Sequence, residues 1–187
     1  MSNYKTVFFT LGVLLIVLGF SMLIPITVQL FYDEFNSTFV ISSIITVTFG
    51  ALFFLANIDH NRSLSTQQAF LLTALSWIGV AIFGSIPFIF SDLNLSITDA
   101  FFESMSGITT TGATIINNLS DTPKAILSWR ARLQWLGGIG IIVMAITLMP
   151  IMNIGGMQLL KISSGDSSEK ILPKTKQISL RLSLIHI

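Results

Sequence analysis

Residues 109 to 114 read Thr-Thr-Thr-Gly-Ala-Thr, inside a charge-free stretch, 104 to 120, in which Ser, Thr, Asn and Gly form the majority. Its reactive inventory is hydroxyls and backbone carbonyls, and two chemistries use these. A hydroxyl nucleophile such as Ser106 needs an activating base within hydrogen-bond reach, yet no His, Lys or Asp falls inside the four long apolar runs of the chain. That excludes an intramembrane serine hydrolase and leaves no enzymatic reading. The other chemistry is cation coordination, in which a column of carbonyls replaces the hydration shell of an ion. Gly112 suits such a column because glycine tolerates backbone angles that other residues resist. His60 and His186 are too few for a metal cluster, and the absence of cysteine excludes a disulfide framework or a thiolate metal or redox centre.

The elements that must position this loop follow from the composition. Of 187 residues, 52% are hydrophobic and only 10% are charged, with a mean hydropathy of +0.79. A soluble domain carries about a quarter charged residues, so the medium is lipid. With 10 Lys and Arg against 9 Asp and Glu, the formal charge of +1 offers no basic field for nucleic acid. Four charge-free stretches, 6 to 32, 35 to 58, 63 to 91 and 133 to 160, each exceed the roughly 20 residues that a membrane crossing requires. The apolar start is too long for the core of a signal peptide, and no small-x-small cleavage site follows it.

The first two apolar runs, about 7 to 31 and 37 to 57, are joined by a short turn and predict an antiparallel transmembrane hairpin. The next helix is expected over 67 to 90 and a further one over 129 to 152. The cytoplasmic leaflet attracts Lys and Arg in short loops. A cytoplasmic N-terminus puts seven of them inside (Lys5, Arg62, Lys161, Lys170, Lys174, Lys176 and Arg181) against three outside, Lys124, Arg130 and Arg132. The outer segments then collect Asp33, Glu34, Asp92, Asp99, Glu103 and Asp121. These acids read either as a vestibule that concentrates cations or as solvated loop and helix-cap charges.

Between the last two helices, residues 96 to 108 carry a helix start at Ser96 with Asp99 three residues on, an apolar stripe, and a stop at Gly107. A helix of that length crosses half a membrane, so it enters from outside and the chain returns through Thr109 to Asn118. Non-helical backbone at that depth is tolerated only where protein surrounds it or it lines a wet cavity. The short helix also aims its negative C-terminal end at the returning strand. Asp99 and Glu103 read most simply as acids near the positive end of that helix, and Arg130 and Arg132 as interfacial anchors at the outer end of the last one.

The runs FFESMSGITTTGATI (101 to 115), RARLQWLGGIGIIVMAITLMP (130 to 150) and GGMQLLKISSGDSSEKILPK (155 to 174) resemble the Trk/Ktr/HKT superfamily of cation uptake proteins, most closely its bacterial TrkH-type branch. The resemblance implies an all-α polytopic membrane protein with two leading transmembrane helices followed by repeats of helix, re-entrant pore helix, filter loop and helix. On that pattern, residues 1 to 62 are the leading hairpin and 63 to 176 the first pore repeat. Within the repeat lie the helix 67 to 90, the pore helix 96 to 108, the filter 109 to 114, the helix 129 to 152 and a cytoplasmic connection 153 to 176. Residues 177 to 187 begin a second, truncated repeat.

The resemblance further implies potassium uptake through a carbonyl-lined selectivity filter in the bacterial inner membrane, with the N-terminus cytoplasmic. The filter carbonyls are those of Thr110, Thr111, Gly112 and Ala113, with K+ at Thr110 and Thr111 and with Thr109 and Thr114 as support. No cofactor is implied beyond the transported K+. The implied partners are membrane lipid, a cytoplasmic nucleotide-binding regulatory subunit of the TrkA type and a second copy in a homodimer, with no nucleic acid. Family members carry four repeats in one chain, so this chain is expected to be an N-terminal portion that supplies one of four filter strands. The alternatives are a small homotetrameric cation channel and a non-conducting membrane assembly fragment.

Overall fold

A computed structural model describes residues 4–34, 36–58 and 65–148, with side chains as far as residue 144. The described residues are helical and irregular, with no strand among them, as an all-α membrane protein requires. His60, Arg62, His186, the last residues of the expected fourth span, the connection 153–176 and the segment 177–187 lie outside them. The chain divides into two compact units, 1–134 and 135–187. The second contributes, among the described residues, the helical run 135–148.

The first apolar run folds as α1 (Lys5–Ser21) and α2 (Leu23–Phe31) rather than as one rod. Pro25 supplies the reason: a proline ring crowds the carbonyl four residues back, at Ser21, and offers no amide for it. The Ser21 hydroxyl instead bonds back to the Leu18 carbonyl at 2.6 Å. The hairpin is closed by α3 (Thr38–Ala56), whose first amide is received by the Asn36 side chain at 3.1 Å.

α1 and α3 approach backbone to backbone. A Cβ on Gly12 would stand 2.6 Å from the Phe54 amide nitrogen and 2.8 Å from the Gly50 carbonyl oxygen. The Ser43 hydroxyl crosses the same seam to the Gly19 carbonyl at 2.8 Å. Small residues and a polar cross-link are how helices associate where no water drives them together.

α4 (Thr66–Ile89) starts in a complete capping box: the Gln68 amide donates to the Ser65 hydroxyl, and the Ser65 amide donates to the Gln68 side chain. Among the described residues three helical segments are long and apolar enough to cross a membrane, Lys5–Phe31 (α1 with α2), Thr38–Ala56 and Thr66–Ile89. α5 (Ile97–Ile108) has 12 residues, about 18 Å, and is far too short to cross. It starts at Ser96, whose hydroxyl accepts the Asp99 amide at 3.1 Å. It passes through Gly107, where the sequence suggested a stop, and ends one residue later. Gly107 is a packing residue, since a Cβ there would meet Leu133 at 3.1 Å.

α6 (Lys124–Leu148) begins five residues ahead of the expected 129, directly after Pro123, whose carbonyl accepts the Ile126 and Leu127 amides. Its first turns bury Trp129 and Leu133 completely. The Trp129 indole donates to the Gly84 carbonyl at 3.0 Å, and its ring meets Phe39 edge-on at 6.3 Å. Charges at Lys124, Arg130 and Arg132 made this stretch look like a loop and a span end. The helix continues through them because Arg130 finds a buried carboxylate.

Candidate functional site

The Thr109–Thr114 loop is shaped by how α5 ends. The Thr110 amide donates to the Gly107 carbonyl at 2.9 Å and the Thr111 amide to the Ser106 carbonyl at 3.1 Å, which is the double bond pattern of a Schellman cap. In that motif the residue at the position of Thr110 must be left-handed and is usually glycine. Here it is a β-branched residue at φ 60°, a genuine departure from what its side chain prefers. Gly112 follows at φ 78°, and its amide also reaches the Ser106 carbonyl, at 3.3 Å. Two left-handed residues two apart make 109–114 an irregular strand that leaves a turn at 109–110, not a regular β-strand.

The hydroxyls brace this segment. Thr109 Oγ1 donates back to the Met105 carbonyl at 2.8 Å and lies 2.9 Å from Thr111 Oγ1. Thr114 Oγ1 accepts the Ile116 amide at 3.1 Å, and Ser106 Oγ donates to the Ala113 carbonyl at 2.6 Å. Among the described residues no donor reaches the carbonyls of Thr110 and Thr111, and both residues are exposed on this chain.

Behind the segment stands a buried ion pair. Glu103, seven residues into α5 and 0% exposed, accepts Arg130 Nε on Oε1 at 2.5 Å and the Ile115 amide on Oε2 at 3.0 Å. Arg130 Nη2 reaches past it to the Gly112 carbonyl at 2.8 Å and the Ala113 carbonyl at 3.2 Å. A carbonyl oxygen has two lone pairs, so the Gly112 carbonyl keeps one side open, while the Ala113 carbonyl, which also accepts Ser106 Oγ, has both engaged. Glu103 is thus in the middle of its helix and neutralised, not a dipole-end acid. Arg130 belongs to the site rather than to a lipid interface. Sequence spacing gave no sign of this pair, because 27 residues separate its members.

Of the other outer acids, Asp99 and Asp121 are held by local partners and Glu34 and Asp92 by distant ones. Glu34 receives the Lys124 amide at the start of α6 at 3.3 Å, Asp92 receives Asn36 at 3.0 Å, Asp121 receives Asn118 at 3.2 Å, and Asp99 takes the Ser96 hydroxyl at 2.7 Å. Asp33 occupies a turn at φ 53°. Asp33, Glu34, Asp92 and Asp121 line a cleft of about 350 Å³. No group of three acids or histidines is placed to hold a metal ion among the described residues. The cap-and-turn reading accounts for the contacts of Glu34 Oε1, Asp99 and Asp121, while Asp92 is held across the fold by Asn36 and Glu34 Oε2 is buried with no partner among the described residues.

Residues 36–187 match a family model described as a cation transport protein, TrkH. The Trk system potassium uptake protein TrkH of Vibrio parahaemolyticus is 38% identical over 99% of the chain, which covers 39% of that relative. The TrkH protein of Escherichia coli K12 is 37% identical over 99% of the chain and 39% of its own length. That of Halomonas elongata is 45% identical over 80% of the chain and 31% of its own length. The crystal structure of the potassium transporter TrkH from Vibrio parahaemolyticus superposes with a TM-score of 0.83 at 36% identity, covering 99% of this chain and 37% of that one. The chain therefore spans about two fifths of the length of the relatives it matches over nearly its whole extent.

Proposed function

The chain belongs to the TrkH family of cation transport proteins, and from that premise we propose that it serves potassium uptake across a bacterial cytoplasmic membrane, with residues 109–114 as one strand of a selectivity filter. The observation that carries the reading is the pair of left-handed residues, Thr110 and Gly112, immediately after a half-membrane helix. Strained backbone of this kind persists where the surroundings over-determine it, typically at binding sites. The segment leaves the Thr110 and Thr111 carbonyls without a donor among the described residues, at the negative end of α5, and these are the proposed K+ ligands. Gly112 and Ala113 complete the strand, and Thr109 and Thr114 support it through their hydroxyl bonds.

One strand surrounds an ion on one side only, and replacing a hydration shell takes a ring of carbonyls. The proposed working unit is accordingly a longer chain with three more strands. The span 129–152, the cytoplasmic N-terminus, a cytoplasmic nucleotide-binding regulatory subunit of the TrkA type and a homodimer belong to the same proposal. They rest on the family likeness and on the seven-to-three bias of Lys and Arg.

The test is a chimera in which these 187 residues replace the aligned segment of the Vibrio parahaemolyticus relative. It should restore growth at low K+ to a bacterium without potassium uptake, and Gly112→Ser should weaken the preference for K+ over Na+ in flux assays. A Cβ at Gly112 would meet only the Gln134 amide, at 3.5 Å, so the penalty is conformational, roughly 1 to 2 kcal/mol. Unchanged K+ affinity and Na+ discrimination in a well-folded Gly112→Ser protein would remove the filter assignment.

A further inference from the structure

We propose that the Glu103–Arg130 pair is a positioning device that decides which carbonyls of the 109–114 segment meet the ion, and so sets K+ over Na+ discrimination. This rests on the filter reading above and adds to it two residues from outside the loop. The guanidinium is planar, with donors in a fixed fork. Its Nε edge is committed to Glu103 at 2.5 Å, so Nη2 has little freedom of its own, and it lies on the Gly112 and Ala113 carbonyls. The second carboxylate oxygen holds the Ile115 amide. One buried carboxylate therefore fixes the returning chain at both ends of a four-residue stretch, through Arg130 at 112 and 113 and directly at 115. Ser106 supplies a third point on the Ala113 carbonyl. With 112 and 113 turned toward the guanidinium on one side, the Thr110 and Thr111 carbonyls are the ones left to face a cation.

The pair also settles the electrostatics. A guanidinium 2.8 Å from a carbonyl of a cation-binding strand would repel the cation unless neutralised, and Glu103, fully buried, neutralises it. A charge buried without its partner is strongly unfavourable, so neither residue is dispensable on its own, and the two act in separable ways. Arg130 sets geometry. Glu103 sets geometry and removes a field.

These roles predict different phenotypes in the chimera described above, reconstituted into vesicles for K+ and Na+ flux. Arg130→Lys keeps the charge but replaces the fork with a point donor, which cannot serve Glu103 and two carbonyls together. The K+ over Na+ preference should fall about tenfold or more. Glu103→Gln keeps shape but leaves Arg130 uncompensated, and uptake of both cations should drop together. Hydrogen exchange at the Ile115 amide should accelerate in both variants, which reports the clamp without reference to transport.

If Gly112→Ser alters selectivity while Arg130→Lys folds and leaves both selectivity and Ile115 exchange unchanged, the filter stands and the clamp is overturned. If neither variant alters selectivity, or the parent chimera carries no K+, the filter reading itself fails and the proposal falls with it. Should Glu103→Gln not fold, Arg130→Lys alone decides.

Discussion

The Ser106 hydroxyl donates a 2.6 Å hydrogen bond to the carbonyl of Ala113, seven residues on, so the last turn of α5 holds the far end of the loop that it launches. Two residues earlier on the same helix, the Ser104 hydroxyl is buried with no partner among the described residues. It faces Gly84, where a Cβ would come within 2.7 Å of it. Two serines of one helix thus differ in what their hydroxyls do.

That difference makes a paired prediction. Ser106→Ala should lower stability by about 1 kcal/mol, the net worth of one hydrogen bond, and should speed exchange through 113–115. Ser104→Ala removes an unsatisfied buried polar group and should be neutral or slightly stabilising. Thermal unfolding of the two variants in detergent checks both. An equal loss in each would mean that helix packing, not the Ala113 bond, is what the hydroxyls support.

The α1–α3 seam yields a second pair. Gly12→Ala would drive its methyl into the Phe54 amide and the Gly50 carbonyl at 2.6 and 2.8 Å, and overpacking of this kind typically costs about 1 to 3 kcal/mol. Gly79→Ala meets only the end of the Leu11 side chain, at 3.3 Å, which can move, and alanine is the better helix former by about 1 kcal/mol. Gly12→Ala should therefore lower the unfolding midpoint and expression yield, and Gly79→Ala should lower neither. A tolerated Gly12→Ala would show that the hairpin has room that its backbone distances deny.

Orientation is open to a labelling test. Cysteines placed at Ser37 and Asn118 should react with an impermeant reagent added outside intact cells, and one at Ser164 should not. The motive is the concentration of Lys and Arg in the segments assigned to the cytoplasm. Labelling at Ser164 with protection at Asn118 would reverse the assignment.

The sequence revealed what local rules govern. Charge-free runs gave α3 and α4 to within a residue but missed the break between α1 and α2 and the early start of α6, and the Ser96–Asp99 spacing gave the start of α5. Gly112 was marked out for unusual backbone angles and has them. What stayed hidden depended on partners distant in the chain. Gly107 has the signature of a helix stop and is instead consumed by contact with Leu133. Arg130 has the signature of an interfacial anchor and is instead drawn inward by Glu103, because a buried carboxylate outweighs the water that an arginine would otherwise seek. Thr110 was marked out for its carbonyl but gave no sign of its left-handed backbone, since propensity opposes the conformation that it adopts.

Thr110 supports the sharpest test of whether backbone strain here serves the ion. At φ 60° it occupies the left-handed position of the α5 cap, where an L-residue is disfavoured by roughly 1 to 2 kcal/mol and glycine is the common choice. Its hydroxyl makes no hydrogen bond among the described residues and the residue is exposed, so little is lost with the side chain. Thr110→Gly should therefore raise the unfolding midpoint in detergent. If the strained conformation is kept because it aims the Thr110 carbonyl at the ion, the freer glycine should also blunt the preference for K+ over Na+ in the chimera, so that stability rises as selectivity falls. Thr110→Ser, which retains a Cβ and the same cap geometry, should change both quantities less. A Thr110→Gly protein that gains stability with selectivity intact would show that the strain is incidental to the cap. One that loses stability would show that the threonine side chain is held by packing against a further part of the assembled transporter.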